Sequence, residues 1–353
     1  MSLRCVSLFA GCGGLDLGLE AAGFDVVFAN DNDYLCADSY KANNGSANFV
    51  LGPVEDLDEN HFETLLAEGP IDLLAGGPPC PPYSKSRFYR KDKPRALADP
   101  VGDTTLNGYL RVLEITRPRA FLFENVAGFA YNVHRPALDS LSAAVSKLGY
   151  ATSWRVVNAV DYGVPQRRER FFMIGALGEA PVQFPVPTHC DPAKAKETGL
   201  MPWVTAGEAI GDLDTDENAS DNGHFAGGQH HDLLKEVPPG ENYLHFTAKR
   251  GHPNPRFEWR SRYWSFLLKL SPDQPSWTIQ ARRSNNMGPF HWRSRILRIE
   301  EVKRLQTFPD DWLLAGTVEQ QWRQVGNAVP PRLAEVLGRA IAKRLDAAKL
   351  ETS

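Results

Sequence analysis

Cys80 sits in the run Gly76-Gly-Pro-Pro-Cys-Pro-Pro-Tyr-Ser84, where four prolines fix the backbone on both sides and display the thiol. Nucleophilic chemistry needs thiolate, which nearby cations favour, and Lys85 and Arg87 follow closely. The same run also fits a rigid loop holding an inert small residue. A second candidate is glycine-rich: Leu8-Phe-Ala-Gly-Cys-Gly-Gly14 stands between an apolar run and a helical pattern, allowing close backbone approach to a ligand. Asp31 lies 20 residues after Gly11, about where a second strand would offer a carboxylate to ribose hydroxyls, although Asp16 occupies the place of the third glycine of a dinucleotide fingerprint. A nucleoside cofactor fits, and so does a tight strand-to-helix turn with a solvent-facing acid. Glu124 closes the run after Phe121-Leu-Phe123, a place for a capping or salt-bridging acid. Arg168 and Arg170 alternate with Glu169 ahead of another apolar run, so both would point to one face, or would simply charge a strand edge.

These residues need elements to hold them. The first ~175 residues alternate short β-branched or aromatic runs with helical periods, the pattern of βαβ units and a mostly parallel sheet. Strands are expected at Arg4 to Phe9, Asp25 to Asn30, Ile71 to Gly76, Ala120 to Glu124, Ser153 to Asn158 and Phe171 to Ala176. Ligands in open α/β sheets sit beyond the carboxyl ends of the strands, where these polar and glycine clusters fall. Leu138, Leu141, Val145 and Leu148 recur at helical spacing before Gly149, and Pro330-Pro331 opens a last helix with a stripe of Leu333, Val336, Leu337, Ala340, Ile341 and Leu345. That stripe must dock, and the first domain is the expected surface. From about Ala180 to Ser294 the periodicity gives way to Pro, Gly, His and Trp-rich sequence, expected to form a separate loop-rich domain.

Over 353 residues, 42% hydrophobic and 23% charged with 29 Gly and 26 Pro, the composition is that of a folded globular protein of about two domains. Apolar runs are far too short for a bilayer span and no leader is visible, so a cytoplasmic protein is expected. Five cysteines without a C-x-x-C pair suggest neither a disulfide framework nor zinc, and the histidines lack zinc spacing. The net charge of -4 conceals a segregation: 13 Lys/Arg against 4 Asp/Glu from Lys249 to Arg304 and 6 against 1 from Lys85 to Arg95. Conversely, Glu55 to Asp72 carries 7 acids and Glu208 to Asp221 carries 6, with no Lys or Arg in either. Basic surfaces on an acidic body suit a polyanion held in a cleft.

Taken in order, six blocks resemble those of the DNA cytosine-C5 methyltransferases of bacterial restriction-modification type. They are Phe9-Ala-Gly-Cys-Gly-Gly-Leu15, Pro78-Pro-Cys-Pro-Pro-Tyr-Ser84, Glu124-Asn-Val126, Gln166-Arg-Arg-Glu-Arg170, Arg295 through Asp310, and Gly326-Asn-Ala-Val-Pro-Pro331. The resemblance implies an α/β, Rossmann-like class I methyltransferase domain at 1–179, a smaller loop-rich target-recognition domain at 180–294, and a return to the catalytic domain at 295–353. It implies S-adenosylmethionine as cofactor, double-stranded DNA as partner, a separately acting cognate restriction endonuclease, no metal and no membrane, in a bacterial or phage cytoplasm at the nucleoid. Cys80 would add to ring carbon 6 of a flipped cytosine, and Glu124 would relieve the charge at ring nitrogen 3 from a carboxyl kept protonated by desolvation. Arg168 and Arg170 would hold base and backbone, while Asn125 and Val126 position the loop and the acid.

For the cofactor, the resemblance implies Phe9 against adenine, Gly11, Cys12, Gly13 and Gly14 with Leu15 around the methionine part, and Asp31 on ribose. Asp56 would lie near the adenine amino group, with Asn32, Pro78, Asn327 and Val329 completing the pocket. Ser84, Lys85 and Arg87 begin a basic stretch expected to close over DNA, and Arg250, Arg256, Arg260, Arg262, Arg282 and Arg283 are expected at phosphates or guanine edges. The chain departs from the family pattern at Asn32, usually bulky and apolar, at Pro81, usually glutamine, and at Arg298, usually threonine. A tRNA-modifying branch of the family and a catalytically silent DNA-binding relative are the alternatives. The long 180–294 segment favours DNA, and the presence of Cys80, Glu124, Arg168 and Arg170 favours catalysis.

Overall fold

Wholly apolar runs mark strands covered on both faces, and in the computed structural model they form the middle of a seven-stranded sheet. The structure describes residues 2–43, 47–79, 98–178, 180–215 and 224–351. In chain order the strands are β1 (Leu3–Leu8), β2 (Phe24–Asp31), β3 (Asn48–Leu51), β4 (Leu73–Gly76), β5 (Ala120–Val126), β6 (Tyr150–Asn158), the two-residue β7 (Gln166–Arg167) and β8 (Glu169–Leu177). The sheet order is β3-β2-β1-β4-β5-β8-β6, and β8 alone runs antiparallel to its neighbours. All six expected strands are present. The four-residue edge strand β3 was not expected, because a short, half-exposed segment carries no burial period. β8 starts at Glu169 rather than Phe171, which places Arg170 inside the ladder opposite Val126.

This order makes β1 and β4 neighbours at the point where the chain reverses direction across the sheet, and a crevice opens there beyond the strand ends. The glycine loop leaves β1, and Gly77-Pro78-Pro79 leaves β4, so topology brings the two candidate loops together.

Each face of the sheet has its own apolar cover. On one side lie the helices Pro100–Thr116 and Arg135–Lys147, the second contributing the expected Leu138, Leu141 and Val145. On the other, α1 (Gly14–Ala21) packs with the C-terminal helix Pro331–Glu351 through Leu15, Leu19, Leu333, Leu337 and Ile341. Val336 and Ala340 are only half-buried, so the stripe is narrower than its sequence period. The segment after residue 180 has short helices and two-residue strands, and its apolar cluster joins Ile210, Leu234, Phe246 and Leu270 to Val302, Leu305 and Trp322, on both sides of residue 294. Among the described residues no helix is long and apolar enough to cross a membrane.

Gly18 sets the distance between α1 and the terminal helix. A Cβ there would collide with the Pro331 carbonyl and come within 2.5 Å of the Ala334 Cβ. Overpacking of this kind typically costs about 1–3 kcal/mol. Gly18→Val should lower unfolding stability in urea by about that amount, whereas Ala21→Ser, on the exposed end of α1, should leave it within about 0.5 kcal/mol; equal effects would show that the helix contact is not constrained.

Candidate active site

Glu124 is the one acid of β5, following the apolar run Ala120-Phe-Leu-Phe123, and it is buried. Because Val126 pairs with Arg170 across the β5–β8 ladder, Glu124, two residues earlier, points to the same face and is a diagonal neighbour of that arginine. Arg170 Nε meets Glu124 Oε1 at 3.1 Å. Burial raises the Glu124 carboxyl above its ordinary range, and the Arg170 and Arg168 guanidiniums oppose that shift. On its other side the carboxylate lies against Gly77, where a Cβ would come within 2.5 Å of Oε2. Asn125 Nδ2 donates to the Pro78 carbonyl at 3.2 Å, tying the start of the proline loop to the strand that carries the acid. Cys80, Ser84, Lys85 and Arg87 lie outside the described residues.

A cavity of about 640 Å³ begins at Glu124, Gly77 and Pro78 and extends between the glycine loop and the closing block. Phe9, Gly11, Cys12, Gly14 and Leu15 form one wall, Asp31 and Asn32 another, and Asn327 and Val329 a third. Phe9 and Gly11 both have positive φ, 55° and 57°, so the loop curls back and Gly11 N donates to Asp31 Oδ2 at 2.9 Å. Asp31 also accepts from Asp33 N at 2.9 Å, and burial raises its pKa. Gly14 permits contact with the closing block: a Cβ there would lie 2.7 Å from the Val329 carbonyl. Gly13, expected in the pocket, instead caps α1 with φ 88°. Asp56 is exposed and its neighbour Glu55 forms the wall, because a 3₁₀ turn at Val54–Asp56 carries successive side chains in different directions.

Several wall residues escaped the sequence reading. Arg323 and Asp33 form an ion pair of 3.0 Å at the cavity; separated by 290 positions, they gave no local signal. The expected arginine pair divides. Arg168 is fully buried and donates to the carbonyls of Ile279, Gly326 and Ala328 at 3.1, 2.8 and 2.9 Å, while Arg170 serves Glu124. Arg256, Arg260 and Arg282 are exposed, Arg283 is half-buried, Arg250 pairs with Glu241 at 3.3 Å, and Arg262 lies over Phe257 and Phe266. None of these six lines the cavity.

A family model for C-5 cytosine-specific DNA methylases matches residues 3–343. The chain belongs to the C-5 cytosine-specific DNA methylase family. Its activity is therefore that of a DNA (cytosine-5-)-methyltransferase, and the buried acid beside a glycine-walled cavity lies within the matched methylase region. Among relatives, it is 36% identical to the type II methyltransferase M.SacI of Streptomyces achromogenes, covering 97% of this chain and 93% of that protein. It is 32% identical to M.MthTI of Methanothermobacter thermautotrophicus, over 98% and 99% of the two chains. In fold, the methylase superposes on a DNA modification methyltransferase encoded within an E. coli prophage with TM-score 0.70 at 23% identity, over 98% of this chain and 100% of that one. It superposes on S. pombe Dnmt2 methyltransferase with TM-score 0.64 at 17% identity, over 98% and 99%.

The opposed influences on Glu124 have a definite sign. Burial favours the neutral carboxyl and Arg170 favours the carboxylate, so removing the guanidinium leaves burial less opposed. Arg170→Gln should move the Glu124 titration, followed by the carboxyl shift in ¹³C-glutamate-labelled protein, to higher pH; a move to lower pH would contradict the electrostatic account.

Proposed function

We propose that this methyltransferase acts sequence-specifically on double-stranded DNA, rotating the target cytosine out of the helix and placing it where the large cavity meets the Glu124–Arg170 pair. The observation that supports this most is that pair itself: a buried, pKa-raised carboxyl held by a guanidinium at the rim of a cavity large enough for a nucleoside cofactor. A base inside a duplex cannot reach such a recess without leaving the stack.

S-adenosylmethionine fits the cavity by charge as well as size. Apart from Glu124, its described wall residues include three acids, Asp31, Asp33 and Glu55, against one guanidinium, Arg323, which suits a cationic sulfonium ligand. Asp31 would hold the ribose hydroxyls, Phe9 the adenine, and Asn327 with the backbone of Gly11, Cys12 and Gly14 the methionine part. When bound, the cofactor supplies an electrophilic methyl group for ring carbon 5.

The chain's own residues prepare the base to accept it. Cys80 adds its sulfur to ring carbon 6, and the displaced π electrons move toward carbon 5 and ring nitrogen 3. Glu124 donates a proton or hydrogen bond at nitrogen 3, a role that the upward shift caused by its burial favours. Arg170 fixes the carboxyl and limits how far its pKa rises. After carbon 5 is substituted, loss of its proton and expulsion of the Cys80 thiolate restore the aromatic ring. Arg168 acts at one remove, holding the strand that carries Arg170 against the closing block. The segment 180–294, with its exposed arginines, is assigned to reading the DNA, and a companion restriction endonuclease would act on the same sites separately.

Fluorine at carbon 5 cannot leave as a proton does, so a duplex containing 5-fluorocytosine at the methylated site should remain covalently attached to the wild-type protein when S-adenosylmethionine is supplied. Cys80→Ser should form no adduct and methylate at under about one-thousandth of the wild-type rate. A protein that methylates ordinary duplexes yet never retains the fluorinated ones would sink the covalent mechanism.

A further inference from the structure

Asp31, proposed above to hold the ribose hydroxyls, is fixed by two backbone donors, Gly11 N on Oδ2 and Asp33 N on Oδ1, each at 2.9 Å. The second donor belongs to a residue anchored from across the cavity. Asp33 Oδ1 accepts from Leu35 N at 3.0 Å, at the start of the helix Tyr34–Asn43, and Asp33 Oδ2 pairs with Arg323 Nη2 at 3.0 Å. Asn32, between the two acids, is polar and exposed, so it brings no apolar burial to steady them.

Arg323 is the one guanidinium among the described residues of this cavity wall, and its helix, Val318–Asn327, is held on both sides of it. Trp322 is buried and its Nε1 donates to the Gln280 carbonyl at 2.7 Å. Gln324 is buried too, its Oε1 accepting from Ser39 Oγ at 2.6 Å and its Nε2 donating to the Ala315 carbonyl at 2.9 Å. Arg323 turns outward between them, with its side chain 49% exposed, and reaches the acid on the facing wall. An ion pair this open contributes little to folding. Its effect falls instead on the neighbouring acid. The negative charge of Asp33 works against the carboxylate of Asp31, whose burial already opposes ionisation, and a cation on Asp33 offsets that repulsion.

We propose that Arg323 is a positioning residue for the cofactor, which acts through Asp33 to aim Asp31 at the ribose hydroxyls. The inference deepens the proposed function and rests on the assignment of S-adenosylmethionine to this cavity. Each Asp31 oxygen accepts one backbone N–H and keeps a second lone pair for a hydroxyl. Hydrogen bonds to a carboxylate are strong and directional, so a carboxyl that tilts or takes up a proton loses the hydroxyls and leaves the adenine and methionine contacts as they were. The closing block, through Arg323, thereby governs how tightly one part of the cofactor is held.

The test is calorimetric binding to the full-length protein of two probes, S-adenosylhomocysteine and its 2′,3′-dideoxy counterpart. Neither carries the sulfonium charge, so direct repulsion between that charge and Arg323 does not enter. Arg323→Gln should weaken S-adenosylhomocysteine about three- to fivefold, the range of one exposed ion pair. The dideoxy probe should change by less than about twofold, because the contact that the pair supports is missing from it. In Asp33→Asn protein, Arg323→Gln should have no further effect on either probe. In turnover, the KM for S-adenosylmethionine should rise by the same factor as the loss of S-adenosylhomocysteine affinity, with kcat within about twofold. Arg323→Lys, which keeps the charge, should show a smaller loss confined to the hydroxylated probe, and it provides the reading should the glutamine variant not fold. Equal weakening of both probes, as a direct contact with the methionine carboxylate or a general loosening would give, overturns the inference, and so does a loss that persists in Asp33→Asn protein. Either result leaves the cofactor assignment intact. A wild-type protein that binds neither probe would instead remove that assignment.

Discussion

A fully buried guanidinium holds the molecule's three parts in register. Arg168 lies between β7 and β8, and its donors reach Ile279 in the segment after residue 180 and Gly326 and Ala328 in the closing block. Moving such a charge out of water costs several kcal/mol unless polar groups replace the lost solvent. Here the replacement is backbone carbonyls, and two of them lie at the C-terminal end of the helix Val318–Asn327, where the peptide dipoles present negative charge. A cation in this place is tolerated only while all three segments stay together. Gln166, two residues earlier, repeats the device in neutral form, donating to Leu305 O and Gln306 Oε1 and accepting from Ile279 N. The strand that carries Arg170 is thereby fixed from behind before it meets Glu124.

That fixation explains why two arginines so close in sequence serve different purposes. β8 runs antiparallel between β5 and β6, so Arg170 is inside a regular ladder and its side-chain direction is set by the pairing with Val126. Arg168 is in the break between β7 and β8, where its own backbone N–H is taken by Asn158 Oδ1 at 3.0 Å instead of by a strand partner. The break frees its side chain to turn into the protein. Glu124 consequently feels both positive charges, one in contact and one at a distance, against strong desolvation. Burial and the two guanidiniums thus act on its carboxyl in opposite directions, with burial the larger influence.

Much of this was legible in the sequence because burial leaves a period. The stripe of Leu138, Leu141 and Val145 on the helix Arg135–Lys147 and the apolar β5 run are written locally, and so is the glycine loop, whose Gly11 and Gly14 answer to backbone curvature and close approach. What stayed hidden depends on partners remote in the chain. Arg168 reads as one of two equivalent charges until its acceptors, 111 and 158 positions away, are known. Asp56 and Glu55 are adjacent acids with equal claims, and only the 3₁₀ turn decides which lines the cavity. Arg167, Trp203 and Trp277 carry no mutual spacing at all. Arg167 lies 5.2 Å from the ring centroids of both tryptophans, and Trp277 is brought there because Ser276–Trp277 pairs with β7, a two-residue contact too short to leave a pattern.

The large cavity also joins the two ends of the chain. One wall is the turn after β1 and another is the closing block, with Trp312 Nε1 donating to the Cys12 carbonyl at 3.0 Å and Ser39 Oγ to Gln324 Oε1 at 2.6 Å across the seam. Gly14 and Gly18 face that block on successive turns of α1, so the helix that follows the glycine loop is also the surface on which the terminal helix docks. A ligand spanning both walls binds only the assembled seam, and it therefore stabilises the native state by mass action, by about 2.7 kcal/mol when present at a hundred times its dissociation constant. Occupancy of the cavity and docking of the terminal helix are thus one equilibrium. The residues that line the cavity from the C-terminal side, Asn327 at the end of the helix Val318–Asn327 and Val329 just beyond it, are thus held by the docking of the helix Pro331–Glu351 that follows them.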